Sequence, residues 1–97
     1  MQYLVNNRIY DTEKAEKIIS YSKSLEISRL GCLTIYKKYK HTLYKTKKDR
    51  YFLVIEDYKD IEQEEIELLT ETEVKDLLCE LNAIYEYKYL FGNIEEG

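Results

Sequence analysis

The sequence predicts an α+β domain built from a short N-terminal ribbon and a helix, a three-stranded antiparallel sheet, and two C-terminal helices. Three observations carry this expectation. Apolar residues recur at helical spacing after Asp11, β-branched and aromatic residues fill positions 30–56, and a capped apolar stripe follows Thr70. With 97 residues, no internal repeat and no low-complexity linker, the chain reads as one domain over residues 1–97.

The first element is the ribbon. In YLVNNRIY two apolar runs flank Asn6-Asn7, and Asn accepts the positive φ of a tight hairpin turn better than most residues. Ala15, Ile18, Ile19, Ser22 and Leu25 then fall on one face of a helix, with Asp11 as N-cap and Glu13 and Glu16 complementing the positive end of its dipole. Gly31 ends that helix, and Leu30 to Lys40 supply the first strand. Thr42 to Lys47 and Arg50 to Glu56 follow as two more strands joined by a two-residue turn at Lys48-Asp49. This turn places Leu43, Phe52 and Val54 on one face with Lys45, Lys47 and Arg50, and places Tyr44, Tyr51, Leu53 and Ile55 on the other, which is the expected core face.

The acidic run EDYKDIEQEEIE has little periodicity and reads as a solvated excursion that regains strand form at Ile66 to Leu69. Thr70-Glu71-Thr72-Glu73 matches the capping box, and Val74, Leu77, Leu78 and Leu81 follow at i, i+3, i+4 and i+7. The spacing predicts a helix over 71–82 ended by Asn82, then a short helix before Gly92 with Ile84, Tyr87 and Phe91 facing inward.

Composition narrows the function. No apolar run approaches the roughly 18 to 20 residues a membrane helix needs, and MQYLV is followed at once by polar NNR, unlike a signal peptide, so a cytoplasmic protein without a membrane partner is expected. Cys32 and Cys79 lack any metal-ligand spacing and are expected to be buried thiols. The scattered glycines form no phosphate-cradling loop. His41 is the single histidine and stands in a Lys-rich connection between strands, with no orienting partner for nucleophilic catalysis. No convergent polar constellation points to an enzyme, a cofactor or a metal.

Charge is the distinctive feature. Residues 1–50 carry 12 Lys+Arg against 5 Asp+Glu, residues 51–97 carry 3 against 14, and the net charge is −4. Two surfaces follow. The acidic residues Glu56, Asp57, Asp60, Glu62, Glu64 and Glu65 can imitate a phosphate backbone and bind a partner's nucleic-acid channel. Alternatively Lys37, Lys38, Lys40, Lys45, Lys47, Lys48 and Arg50 can neutralise phosphates while Tyr36, Tyr39 and Tyr44 stack on bases. The tyrosine content also leaves a homodimer through an exposed sheet edge open.

Four phrases carry a resemblance: Tyr10 to Glu16 (YDTEKAE), Tyr44 to Leu53 (YKTKKDRYFL), Leu69 to Val74 (LTETEV) and Tyr89 to Gly92 (YLFG). Over nearly its full length the chain resembles a group of small proteins from phages, prophages and plasmids of Firmicutes, some of them similar to anti-CRISPR proteins. The group tends to have Gly where this chain has Asp49. The resemblance implies an inhibitor of a host defence protein, in the first place a CRISPR effector or surveillance complex, and carries over no catalytic residue. The alternative is a small nucleic-acid-binding or regulatory module that uses the Lys/Tyr-rich hairpin.

Overall fold

The computed structural model describes residues 1–57, 64–92, 94 and 97, apart from the side chains of residues 27 and 28. Among the described residues strand takes up 55% and helix 21%, so the predicted α+β balance is corrected to a sheet-dominated fold. The strands β1 (Gln2–Val5) and β2 (Arg8–Asp11) form a ribbon. β3 (Glu16–Leu30), β4 (Leu33–Lys45), β5 (Tyr51–Asp57) and β6 (Glu64–Leu69) form an antiparallel sheet in that order, and α1 (Glu71–Glu80) and α2 (Ile84–Phe91) follow.

The largest correction is the first helix, which is strand β3. Its residues satisfy two periods at once. Ile19, Tyr21, Lys23 and Leu25 alternate with Ser20, Ser22 and Ser24, and β-branched, aromatic and serine residues favour an extended chain over a helix interior. Pairing with β4 decides in favour of period two, through Ile19↔Leu43, Tyr21↔His41 and Leu25↔Lys37, with bulges between Lys17 and Ile19 and between Glu26 and Ser28. Asp11 caps no helix. Its Oδ1 accepts from the Glu13 N–H at 2.9 Å, which turns the chain out of β2. Gly31 ends a strand, taking φ 61° in the two-residue turn between Leu30 and Leu33.

The two strands expected on either side of His41 are one strand, β4, and the turn into β5 is longer than predicted. The Thr46 N–H donates to the Arg50 carbonyl at 2.8 Å and the Asp49 N–H donates to the Thr46 carbonyl at 3.1 Å. Three residues therefore span the turn, and the third, Asp49, is left-handed at φ 60°. The extra residue slips the register by one, so Leu43 opposes Leu53 and Tyr44 opposes Phe52. A one-residue slip exchanges the faces. Leu43 joins Tyr51, Leu53 and Ile55, while Tyr44 joins Phe52 and Val54.

Both faces of the sheet are covered, which the single expected core face did not anticipate. On one face Leu43, Tyr51 and Leu53 pack under Val74, Leu78 and Ala83 of the helical layer. On the other, Phe52 and Val54 pack under Tyr10, with Tyr3, Val5 and Tyr44 around them. Tyr10 meets Phe52 edge-on at 5.4 Å and Tyr44 stacks on it at 5.1 Å.

Local signals held where partners are close in sequence. Asn6 and Asn7 take φ 52° and 61° in the ribbon turn. Thr70 and Glu73 exchange both bonds of the capping box, at 3.2 and 3.1 Å. Asn82 (φ 54°) closes α1, with the Ala83 N–H donating to the Leu78 carbonyl at 2.8 Å and the Asn82 N–H to the Cys79 carbonyl at 3.1 Å, the paired bonds of a Schellman end. In α2 the inward residues are Tyr87, Leu90 and Phe91, whereas Ile84 is exposed.

Among the described residues β3 and β4 outrun the rest of the sheet. The last β4–β5 pair is Tyr39↔Asp57, yet β3 and β4 stay paired to Leu30↔Leu33. The hairpin beyond Tyr39 is an arm of roughly 20 Å at about 3.3 Å per residue. It raises the radius of gyration to 15.4 Å, against about 12.5 Å for a compact domain of this length.

Candidate functional site

The arm is amphipathic, and the alternation of its strands makes it so. Leu25, Leu30, Leu33 and Ile35 lie on one face, the face that farther down carries Leu43 and Leu53 beneath the helices. They remain 39%, 65%, 58% and 38% exposed. Ser22, Ser24 and Glu26 of β3 and Thr34, Tyr36 and Lys38 of β4 occupy the opposite face. Lys37, Lys23 and Tyr39 stand on that face between the aliphatic residues and the core, so the exposed aliphatic residues form a patch of their own at the end of the arm. The molecule exposes 7367 Å², about 1,500 Å² more than a compact monomer of its mass would. Cys32 at the arm tip and Cys79 on α1 are exposed free thiols, which corrects the expectation that both are buried.

The acidic and basic candidates meet each other. Asp57 is 2% exposed and its carboxylate pairs with the Lys37 ammonium, so one residue from each predicted surface is used inside the protein. Lys37 also lies over the Tyr39 ring at 5.8 Å. Glu56 is the register partner of both Lys40 on β4 and Glu64 on β6. The Tyr3 hydroxyl donates to the Glu64 carboxylate, and burial together with that neighbour raises the tyrosine's pKa well above its usual value. Glu65 faces outward on β6. Asp60 and Glu62 lie outside the described residues.

The remaining basic residues separate. Lys45 pairs with Asp49 at 3.2 Å, and that hydrogen bond raises its pKa. Lys38 and Lys40 lie on the ribbon face of β4. Lys47, Lys48 and Arg50 reach a cleft of about 470 Å³ between the β1–β2 ribbon and the β4–β5 turn, where Arg8 and Lys14 join them. Arg8 and Lys14 escaped the sequence reading because each is an isolated cation in its own segment. Of the three tyrosines expected to stack on bases, Tyr44 is engaged with Phe52 and Tyr39 with Lys37, and Tyr36 is exposed on the arm.

His41 is 5% exposed within β4, not in an exposed connection. Its ring lies 5.0 Å from that of Tyr21, and neither ring nitrogen has a hydrogen-bond partner. Burial, then the Lys23 charge, lower its pKa, while Glu67 acts the other way. The ring is a neutral packing element with no carboxylate to orient it. Among the described residues no three His, Cys, Asp or Glu side chains converge as a metal site, and no helix is long and apolar enough to cross a membrane.

No protein-family model matches the chain, and neither a curated protein nor a solved structure does.

Proposed function

We propose that the chain acts without catalysis, as a binding protein that uses the β3–β4 arm to dock on a host defence protein and block it. The observation that carries this reading is the exposed aliphatic row of Leu25, Leu30, Leu33 and Ile35 on a projecting two-stranded arm. Such a row is costly in water at about 25 cal/mol per Å², and a partner that covers it gains that free energy back. Its polar reverse face keeps the arm soluble when unbound. The resemblance to phage and plasmid proteins makes a CRISPR effector the expected target, and occlusion by the arm suffices as a mechanism.

The role first assigned to the acidic segment shrinks in this reading. Asp57 is committed to Lys37 and Glu64 accepts from the Tyr3 hydroxyl, which leaves Glu65, exposed on β6, as the described acid of this set on the arm's aliphatic face.

The test presents purified CRISPR effectors one at a time and measures DNA cleavage with the wild-type chain and with Leu33→Asp/Ile35→Asp. Both positions are exposed, so the variant keeps its core. The expected result is inhibition that weakens at least tenfold in the variant. Equal inhibition by a folded variant removes the arm from the mechanism, and no inhibition of any effector removes the target. A second copy of the chain is the competing occupant of the arm, and sedimentation of the wild type against the same variant separates a dimer from a free monomer.

A further inference from the structure

We propose a second site, independent of the arm: the cleft between the β1–β2 ribbon and the β4–β5 turn holds the phosphodiester backbone of single-stranded nucleic acid. Arg8, Lys14, Lys47, Lys48 and Arg50 converge on a concavity of about 470 Å³. They come from three separate stretches of sequence, so the cluster is made by the fold and is not a lysine-rich tract. None of the five has a carboxylate within 4 Å among the described residues, although the chain as a whole carries a net charge of −4.

Asp11 also lines the cleft; it accepts from Gln2 Nε2 at 3.3 Å and from the Glu13 N–H at 2.9 Å, and the Lys14 charge helps hold its pKa down. Five cations against this one carboxylate leave the cleft with a net positive charge that an external anion relieves. A nucleic-acid strand fits better than a single phosphate. A second concavity of about 370 Å³ shares Lys14, Ala15, Thr46 and Lys47 with the first and adds Lys45 with the carboxylates Glu16 and Asp49, so the phosphates belong in the first and the second offers the strand an exit. A flexible single strand can bend its backbone into a recess between the ribbon and the turn, which a rigid duplex cannot do as readily. Among the described residues Tyr10 is the one aromatic lining the cleft, and it is buried against Phe52, so it offers no face for a base to stack on. Binding should then follow the phosphates and ignore the bases.

The experiment is fluorescence anisotropy with labelled oligonucleotides of mixed sequence, single-stranded and duplex, over a salt series, with inorganic phosphate and a nucleoside triphosphate as competitors. The expected result is preferential single-strand binding without sequence preference. Its log–log salt slope should be about −3.5 for five neutralised phosphates, falling to about −2 in Lys47→Glu/Lys48→Glu with at least tenfold weaker affinity. Lys14→Glu, on a different segment, should weaken binding in the same direction. Circular dichroism confirms that each variant is folded. Absence of binding at 50 mM salt, unchanged affinity in the folded variants, tighter binding to duplex, or displacement by a nucleoside triphosphate at concentrations matching the oligonucleotide would each overturn the proposal. None of these outcomes bears on the arm, since Leu33→Asp/Ile35→Asp leaves the cleft intact and should bind the oligonucleotide as the wild type does.

Discussion

Substituting Lys37 by Met should destabilise the protein far more than a typical surface lysine change. The carboxylate of Asp57 is almost fully enclosed and its partner ammonium about one third exposed. Removing one member of a buried ion pair costs roughly 3–5 kcal/mol because the other charge stays desolvated. Partial hydration of Lys37 argues for the lower end, about 3 kcal/mol. In a domain of this length that corresponds to a fall in Tm of about 12 to 24 °C. Lys37→Met/Asp57→Leu, which removes both charges and fills the same space with carbon, should recover to within about 1 kcal/mol of the wild type. Urea melts of the four proteins of this cycle at pH 7 measure the difference. A single-variant cost below about 1 kcal/mol would mean that the carboxylate is hydrated, and a double variant no better than Lys37→Met would mean that the lysine acts through its stem. Either result refutes the reasoning.

Two further outcomes follow from the same structure. His41 has a lowered pKa in the folded state, so the unfolded chain binds the proton more readily; its contribution is intact above the ordinary value of 6.5 and is lost as pH falls below it toward the lowered one. The urea midpoint should therefore drop between pH 7 and pH 5.5 in the wild type and drop less in His41→Phe, and equal slopes would show that the imidazole titrates normally. Thr70→Ala removes the acceptor for the Glu73 N–H and should cost about 1 kcal/mol, whereas Thr70→Ser should cost a few tenths; equal losses in the two would mean that the cap bond is not what holds the start of α1.

What could be read from the sequence was the structure whose partners are near in the chain. Thr70 meets Glu73, Asn6 meets Asn7, and Asn82 closes the helix it follows. What could not be read was decided by distant partners. The segment 16–30 satisfies both a helical and a strand period, and only the presence of β4 beside it selects the strand. The faces of β4 and β5 depended on whether their turn holds two residues or three, and the Thr46 hydroxyl, which accepts from the Arg50 N–H at 3.1 Å, favours three. That single residue moved Leu43 from the company of Phe52 to that of Leu53, and the ribbon's Tyr10 made the other face a second core. Lys47, Lys48 and Arg50 stand together in the sequence as a candidate nucleic-acid-binding group, but Arg8 and Lys14 belong to the same cleft only because the ribbon folds back over the turn.

The charge asymmetry of the chain ends in a different place from where its sequence suggests. A basic half followed by an acidic half would give two opposed poles if the halves stayed apart, but the β4–β5 hairpin folds the junction back on itself. Lys40 then faces Glu56 and Lys37 reaches Asp57, so the charges farthest from the turn on these strands find opposite partners. At the turn the compensation is partial. Of the four cations at the turn, Lys45 has Asp49, while Lys47, Lys48 and Arg50 are left to the cleft. On the other side of the junction, the helices that cover Leu43 and Leu53 do not reach the aliphatic residues of the arm, which stay exposed. The two surfaces lie at opposite ends of β4: the cleft at the turn into β5, the arm at the turn from β3. They share no residue, which is why the two sites can be tested, and can fail, separately.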